Sequence, residues 1–262
     1  MSSDRPHRTR SAPPLHGAVD KDEIDRFDRI AAEWWDPRGK FRPLHAMNPT
    51  RAAYVRDRLS PLSPEGAEPG VAQPLSGLRL LDVGCGGGLL AECLARWGAD
   101  VVAIDAGTEA IAVARRHAQD QGLAIDYRCL TADVLAEEDG NFDGVTALEV
   151  IEHVPDPARF CNELASLVRP GGRVVMSTLN RTRTSFLTAI VGAEYALGWL
   201  PRGTHDWNRF LKPSELAAML RRSGLVVEDT AGLRPDTPTG RQWRLSRSSM
   251  SVNYLISAAR PD

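Results

Sequence analysis

The sequence predicts an α/β fold in which a mainly parallel sheet is covered by helices on both faces. Short apolar runs alternate with amphipathic helical stretches along most of the 262 residues, which is the pattern of a parallel sheet buried on both sides. A glycine-rich turn, LDVGCGGGLLAE, joins the first of these runs to a helix, as ligand-binding turns do in doubly wound folds. The last apolar run has no helix before it, so we expect it to pair antiparallel.

Seven strands are expected, each a short run rich in apolar and β-branched residues. In chain order they are LRLLDV, VVAIDA, IDYRCLTA, FDGVTALEV, RVVMSTL, LVVEDTAGL and SVNYLISAAR. We expect the sixth and seventh to form an antiparallel edge. The helices between them show apolar residues at helical spacing and are GLLAECLARWG, TEAIAVARRHAQDQG, DPARFCNELASLVRPGG and PSELAAMLRRSG.

The sheet and its helices are predicted to belong to a single domain, residues 21–262, that carries three additions. Residues 1–20 are polar and proline-containing and are expected to be disordered. Residues 60–77 are rich in proline and glycine and are expected to form a surface loop. Residues 181–211 form an insertion between the fifth strand and the helix that follows it.

Residues 21–59 are predicted to form a helical cap over the site. Apolar residues recur at helical spacing from Ile24 to Trp34, which predicts a first helix. Asn48 and Pro49 have the residue types of an N-cap and of the first helical position, which predicts that a second helix begins there and carries Arg51 in its first turn.

The composition excludes several classes of protein. A formal net charge of −2 gives no electrostatic basis for nucleic-acid binding. No signal peptide and no apolar run long enough to span a bilayer is apparent. The cysteines lack metal-type spacing, which predicts free thiols in a reducing cytoplasm; they are Cys85, Cys93, Cys129 and Cys161.

The glycine turn points to a ligand other than a dinucleotide. Gly84 and Gly86 fit the first two positions of G-x-G-x-x-G, but Leu89 occupies the third. Asp82 stands at the mouth of the turn, where its charge would repel a pyrophosphate. Asp105 ends the second strand, where a carboxylate can accept both hydroxyls of a ribose. The expected ligand therefore carries positive charge or hydroxyls, although the glycines could serve helix packing alone and Asp105 could cap the next helix.

These motifs resemble those of a known enzyme family. LDVGCGGGLLAE, the acids of AIDA and TAD, and LEVIEHVPDP are similar to class I methyltransferases that bind S-adenosylmethionine. The segments AAEWWDPRGKFRPLHAMNPTR, STLNRT, VGAEYALGWLPRGTHDW and SVNY, spread from Ala31 to Tyr254, resemble the ubiquinone biosynthesis O-methyltransferase family more specifically. The resemblance implies a Rossmann-like class I methyltransferase fold that uses S-adenosylmethionine to methylate phenolic hydroxyls of polyprenylated ubiquinone precursors.

The resemblance also implies partners and a location. The substrate would be a polyprenyl phenol taken from a membrane, and other enzymes of ubiquinone biosynthesis become candidate partners. The protein would be cytoplasmic and bound peripherally to the inner face of the membrane. Two rival classes remain open, a nicotinamide-dependent oxidoreductase and a peripheral membrane-binding protein without catalysis.

A cofactor-binding set follows from the resemblance. Arg51 would bind the carboxylate of the methionine moiety, for which an arginine fork is suited, unless it is a surface arginine. Asp133 would approach the adenine amino group or be solvated, and Leu148 would press on the adenine plane or belong to the core. With the turn, the set consists of Arg51, Asp82, Gly84, Gly86, Asp105, Asp133 and Leu148.

The EVIEH segment provides the candidate catalytic residues. Glu149, Glu152 and His153 have i, i+3, i+4 spacing, so a single helical turn would gather all three. Such a set could hold a divalent ion, Mg²⁺ for example, that chelates adjacent phenol oxygens and helps to ionise one of them. The alternative is a site without metal in which His153 orients the loop or acts as base. In either case Glu149 and His153 are the candidate catalytic residues.

The insertion is unusually apolar for a connection. Its large apolar residues are Phe186, Leu187, Ile190, Val191, Tyr195, Leu197, Trp199 and Leu200, and arginines stand on both sides of them. This pattern describes an interfacial helix that lies on anionic lipid, or a lid over the site. His205 and Asp206, within the same insertion, are secondary candidates for substrate contact.

Overall fold

The computed structural model describes residues 21–64, 70–138, 140–186, 206–236 and 242–262. The predicted disordered segment 1–20, part of the predicted loop 60–77 and most of the insertion lie outside these ranges. The strands are β1 Arg79–Val83, β2 Asp100–Asp105, β3 Asp126–Cys129, β4 Phe142–Leu148, β5 Val168–Leu179, β6 Val226–Pro235, β7 Trp243–Ser246 and β8 Asn253–Ala259. They form a sheet of order β3-β2-β1-β4-β5-β8-β6-β7.

The helices within the described residues cover the sheet and one end of it. They are α1 Lys21–Asp28, α2 Arg42–Leu59, α3 Leu89–Arg96, α4 Thr108–Asp120, α5 Ala132–Glu138, α6 Pro157–Leu167, α7 Arg183–Ser185 and α8 Pro213–Arg222. Short 3-10 turns lie at Ala31–Glu33, Ser60–Leu62, Ile151–His153 and Trp207–Arg209. Helix α5 was not expected from the sequence, because its seven residues are too few and too acidic to show an apolar period.

The predicted α/β class is confirmed, and the sixth and seventh predicted strands (β6 and β8) do pair antiparallel, but the predicted strand count and edge strand are wrong. The described sheet has eight strands rather than seven. Strand β8 lies between β5 and β6 and is antiparallel to both, and β7 is an additional edge strand antiparallel to β6. The reason is burial. Strand β8 is buried along nearly its whole length, so its backbone groups need hydrogen-bond partners on both sides. The four residues of β7 are largely exposed, which suits an edge.

The predicted start of the second helix is also wrong. Helix α2 begins at Arg42, with Pro43 in its first turn, and it continues through Pro49. A proline inside a helix removes one backbone hydrogen bond. Helix α2 nevertheless continues past Pro49, and its buried residues hold it against the rest of the fold. The carboxamide of Asn48 does not cap a helix but donates to the carbonyl oxygen of Leu89, 3.0 Å away, which ties α2 to α3.

Two apolar cores, one on each face, hold the helices on the sheet. One contains Ile104, Leu135 and Leu164, and the other contains Leu80 and Leu94. Each of these side chains is completely buried, and burial of one leucine or isoleucine contributes about 1.5–3 kcal/mol. The cores fix β1 between β2 and β4, the point at which strand order reverses and where ligands bind in doubly wound sheets.

No helix within the described ranges is both long and apolar enough to cross a bilayer.

Candidate cofactor and substrate site

A cavity of about 360 Å³ lies at the carboxyl ends of β1, β2 and β4, a volume typical of small-molecule sites. Its walls come from the segment before α2, from α2 itself and from the loops that follow the parallel strands. The predicted site residues that line it are Arg51, Asp82, Gly84, Gly86, Asp105, Leu148, Glu149 and His153. Two predicted residues, Asp133 and Glu152, are not part of this lining.

The glycine turn is shaped for close approach of protein side chains as well as of a ligand. Gly84 and Gly86 have φ of +67° and +52°, values that L-residues with a side chain rarely adopt. A Cβ atom at Gly84 would lie 2.4 Å from Cγ2 of Val150, and one at Gly86 would lie 2.0 Å from Cζ2 of Trp34. Part of the space that the glycines leave is therefore filled by these two side chains, which form the walls of the cavity.

Asp105 joins the first two loops of the site. Its Oδ2 accepts a hydrogen bond from the Gly86 N–H and its Oδ1 accepts one from the Gly107 N–H, each at 2.8 Å. The second bond comes from Gly107, the N-cap residue itself, and not from an N–H of the first helical turn, so Asp105 does not cap α4. Each carboxylate oxygen keeps a further lone pair, and Asp105 lines the cavity. It can therefore still accept the hydroxyls of a ribose.

Asp82 is a buried carboxylate, and only one of its two oxygens accepts a hydrogen bond from the described residues. Its Oδ1 accepts a hydrogen bond of 2.8 Å from the Thr146 hydroxyl. Its Oδ2 is buried and has no hydrogen-bond partner among the described residues. Burial raises the pKa of Asp82 to about 7, against the lowering effects of the Thr146 hydrogen bond and of Arg51. A cationic group bound in the cavity would favour the ionised carboxylate.

Arg51 is buried, so the surface-arginine alternative is wrong: only 5% of it is exposed. Its Nε donates to Oδ1 of Asn48 at 3.1 Å. Burial lowers the pKa of Arg51, and the carboxylates of Glu149 and Asp82 oppose that shift. A guanidinium beside two carboxylates suits a zwitterionic amino-acid group, because the cation can bind its carboxylate and Asp82 its ammonium.

The raised pKa of Asp82 predicts that cofactor affinity depends on pH. If the cavity holds the expected S-adenosylmethionine, the positive charge of that cofactor would lower the pKa of Asp82 from about 7. Affinity should therefore rise as pH increases from about 5.5 to about 7, by up to about tenfold per unit below that pKa. Calorimetry in buffers of different ionisation enthalpy should detect the released proton. In Asp82→Asn the affinity should be weaker and should rise less steeply with pH, since Asp105, whose pKa is also raised by burial, remains in the cavity; an equally steep dependence in this variant would contradict the assignment.

The residues expected to contact adenine, Asp133 and Leu148, are only partly brought together by the structure. Leu148 is 9% exposed and lines the cavity. The carboxylate of Asp133 instead accepts hydrogen bonds from the Thr131 hydroxyl and from Nη2 of Arg159. Thr131 and Ala132, which precede Asp133, do line the cavity, so its contact with adenine stays a prediction.

The EVIEH segment does not form the predicted single helical turn. Glu149 has φ of +59° and precedes the 3-10 turn Ile151–His153, so Glu149, Glu152 and His153 do not share one helical turn. Oε2 of Glu152, a residue only 3% exposed, accepts from the Thr178 hydroxyl at 2.9 Å. Within the described part of the chain, no three His, Cys, Asp or Glu side chains are grouped to hold a metal ion.

Aromatic residues of the cap also belong to the site, although no sequence motif assigned them to it. The Phe27 ring meets the ring of His153 edge-on, with centroids 5.6 Å apart. Trp34 packs on the glycine turn, and Nε1 of Trp35 donates to the Gly87 carbonyl at 3.0 Å. The WWD motif could have indicated this role, because two adjacent tryptophans in a short polar segment are expected to pack against another part of the protein.

Comparisons with known proteins identify the family of this chain. A family model described as a methyltransferase domain matches residues 44–230. The ubiquinone biosynthesis O-methyltransferases of Sinorhizobium medicae and Dinoroseobacter shibae are 50% and 49% identical over 243 residues, which is 93% of this chain and 96–97% of theirs. Magnesium protoporphyrin IX methyltransferase from Synechocystis, with bound S-adenosylhomocysteine, superimposes with a TM-score of 0.59 at 20% identity, over 92% of this chain and 94% of that one.

Fold and site together define an S-adenosylmethionine-dependent methyltransferase of class I. The buried oxygen of Asp82, the buried guanidinium of Arg51 and the carboxylate of Asp105 fit the ammonium, carboxylate and ribose groups of that cofactor. The chain belongs to the ubiquinone biosynthesis O-methyltransferase family, and it is an O-methyltransferase.

Proposed function

We propose that this enzyme methylates phenolic hydroxyls of polyprenylated ubiquinone precursors. The observation that carries the proposal is the 50% identity, over nearly the whole chain, to relatives named for that biosynthesis. The cavity supports it, because one wall is aromatic and aliphatic, with Phe27, Phe41, Leu44 and Met47. Such a wall suits an aromatic ring that carries an apolar tail.

The residues of the site would bind, orient and remove a proton. Bound S-adenosylmethionine supplies an electrophilic methyl group. As the phenolic oxygen bonds to the methyl carbon, the carbon–sulfur bond breaks and its electron pair stays on sulfur. Asp82, Arg51 and Asp105 would fix the direction of attack. Glu149 or His153, which both line the cavity, would take the phenolic proton and pass it to solvent.

The test compares two substrates with the purified protein. A catechol with a short prenyl tail and the same catechol without the tail are incubated with methyl-labelled S-adenosylmethionine. We expect both to be methylated, with a lower KM for the prenylated compound because the tail buries apolar surface. No transfer to either would refute the proposal. A thermal shift with NAD and none with S-adenosylmethionine would favour a nicotinamide-dependent oxidoreductase.

A bound divalent ion is a further prediction of the EVIEH pattern, and the present side-chain positions do not supply three grouped ligands. Glu152 does not line the cavity, so binding of an ion there would require its side chain to move. The prediction is checked by exhaustive chelation. If Glu149, Glu152 and His153 hold Mg²⁺, turnover should be lost in excess EDTA and restored by Mg²⁺, while S-adenosylhomocysteine still binds. Full turnover in EDTA, with no metal in the protein, would leave Glu149 and His153 to act alone.

We also propose that the insertion docks on a membrane. Its apolar composition supports this, and so does Phe186, which is 43% exposed. Among the described residues of the insertion, Phe186 is the only large apolar side chain that is exposed. The double variant Phe186→Ser with Trp199→Ser should reduce binding to anionic liposomes, because apolar anchors are lost. Activity on a water-soluble phenol should survive.

Val226→Ser is the matched control for this double variant, because Val226 is 55% exposed on β6, outside the insertion. The lid alternative predicts the reverse pattern, with unchanged liposome sedimentation and loss of the soluble activity.

A further inference from the structure

Glu149 is held in an unfavourable backbone conformation at the edge of the cavity. Its φ of +59° lies in the left-handed region, which non-glycine residues adopt only when their surroundings fix them there. Its backbone N–H donates to the carbonyl oxygen of Ser177 at 3.0 Å. The end of β4 is thus attached to β5 at the point where the chain turns the Glu149 side chain toward the site.

Two buried side chains hold the same oxygen of this carboxylate. The Ser177 hydroxyl donates to Oε1 of Glu149 at 2.7 Å, and Nδ2 of Asn253 donates to it at 2.9 Å. Ser177 is on β5 and Asn253 begins β8, which pairs with β5. Neither residue is more than 2% exposed. Oε1 is therefore fixed from two neighbouring strands.

The hydrogen bond from Asn253 to Glu149 has an energetic cost, which lies at the other end of the Asn253 amide. A carboxylate can only accept hydrogen bonds, so the amide must turn its NH₂ group toward Glu149. Its Oδ1 is then buried without a hydrogen-bond partner among the described residues. Buried acceptors without partners are unfavourable and uncommon. The amide at this position is therefore explained by what it donates to Glu149.

The second carboxylate oxygen is the one left for a ligand. No described residue donates a hydrogen bond to Oε2 of Glu149, whereas Oε1 receives two. Glu149 lines the cavity with Arg51 and His153. We propose that Ser177 and Asn253 are positioning residues that fix Oε1 and thereby aim Oε2 of Glu149 at the hydroxyl group that is to be methylated. This inference rests on the proposed function.

The proposed role is geometric. In-line displacement requires the phenolic oxygen to stand opposite the departing sulfur, and a misplacement of about 1 Å can cost roughly 100-fold in rate. A carboxylate that rotated freely would accept the same hydrogen bond from several directions. Fixing one oxygen leaves the other with a single direction into the cavity.

The test uses Ser177→Ala and Asn253→Ala, with Ser257→Ala as the matched control. Ser257 is also a fully buried serine of the sheet, and its hydroxyl has no hydrogen-bond partner among the described residues. With saturating S-adenosylmethionine, we expect kcat for a phenol to fall roughly 10- to 100-fold in each of the first two variants. Affinity for S-adenosylhomocysteine should stay within about twofold, and Ser177→Thr, which keeps a hydroxyl, should restore much of kcat.

The Glu149→Gln background separates positioning from a structural role. If Ser177 acts through Glu149, Ser177→Ala should cause no further loss of kcat in that background. An independent loss there, unchanged kcat in the single variants, or a parallel fall in cofactor affinity would each overturn the inference. If Asn253→Ala does not fold, Ser177→Ala decides, since it removes a single oxygen atom. Absence of methyl transfer by the unsubstituted enzyme would instead refute the proposed function, and with it the inference.

Discussion

Replacement of Gly86 by valine is expected to abolish detectable binding of S-adenosylmethionine. The backbone at Gly86 has φ of +52°, which costs a residue with a side chain roughly 1–2 kcal/mol. A Cβ atom would also lie 2.0 Å from Trp34, so the indole must move out of the wall of the cavity. A shift of the turn would break the 2.8 Å hydrogen bond from the Gly86 N–H to Asp105, worth about 1.5–3 kcal/mol because its acceptor is charged.

The backbone strain destabilises the free and the cofactor-bound protein alike, so the loss of affinity comes from the displaced turn, Trp34 and Asp105 and is expected to be on the order of 10²-fold or more. Gly122→Val is the matched control, because Gly122 has a similar φ of +66° and no atom within 4 Å of an added Cβ. This control should lose some stability and keep its cofactor affinity. Calorimetry with S-adenosylhomocysteine makes the comparison. Affinity in Gly86→Val close to that of the unsubstituted protein would contradict the placement of the cofactor against this turn.

The second large effect is expected at Glu149. Replacement by alanine should lower turnover at saturating cofactor by roughly 10²- to 10⁴-fold, the range that a positioned proton acceptor contributes. Cofactor affinity should be unchanged or higher. The reason is that the guanidinium of Arg51, which interacts with the carboxylate of Glu149, would then have one competitor fewer for the cofactor carboxylate.

Glu163→Ala is the control for Glu149→Ala. Glu163 also lines the cavity, but its carboxylate is paired with Nε of Arg159 at 2.8 Å, and we expect the turnover of this variant to remain within about threefold. Steady-state and single-turnover kinetics measure both variants. Normal turnover in Glu149→Ala, or a loss that is cured by raising the cofactor concentration, would remove Glu149 from the chemical step.

The parts of the site that depend on neighbouring strand ends could be predicted from the sequence. Asp82 and Asp105 each end or nearly end an apolar run, and parallel strands bring their carboxyl ends to one edge of the sheet. Both acids accordingly line one cavity. Arg51 was predicted from the family motif although the start of its helix was wrong, because the motif fixes the residue and not the helix boundary.

The parts that depend on strand order could not be predicted. Asn253 reaches Glu149 across 104 residues of chain, and it does so only because β8 inserts between β5 and β6. The apolar run of β8 indicated a strand but not its neighbours. The left-handed backbone of Glu149 is likewise imposed by contacts with Ser177, so the i, i+3, i+4 spacing of EVIEH predicted a helical turn that does not form.

Methyl transfer to a phenolic oxygen is tested most directly by locating the transferred group. The purified protein is incubated with isotopically methyl-labelled S-adenosylmethionine and a polyprenylated catechol, and the product is analysed by mass spectrometry and NMR. We predict one label per turnover on a phenolic oxygen, with formation of S-adenosylhomocysteine in equal amount and loss of both products in Glu149→Ala. A label on carbon or nitrogen, or no label with fully folded protein that binds the cofactor, would contradict O-methylation of a phenol by this site.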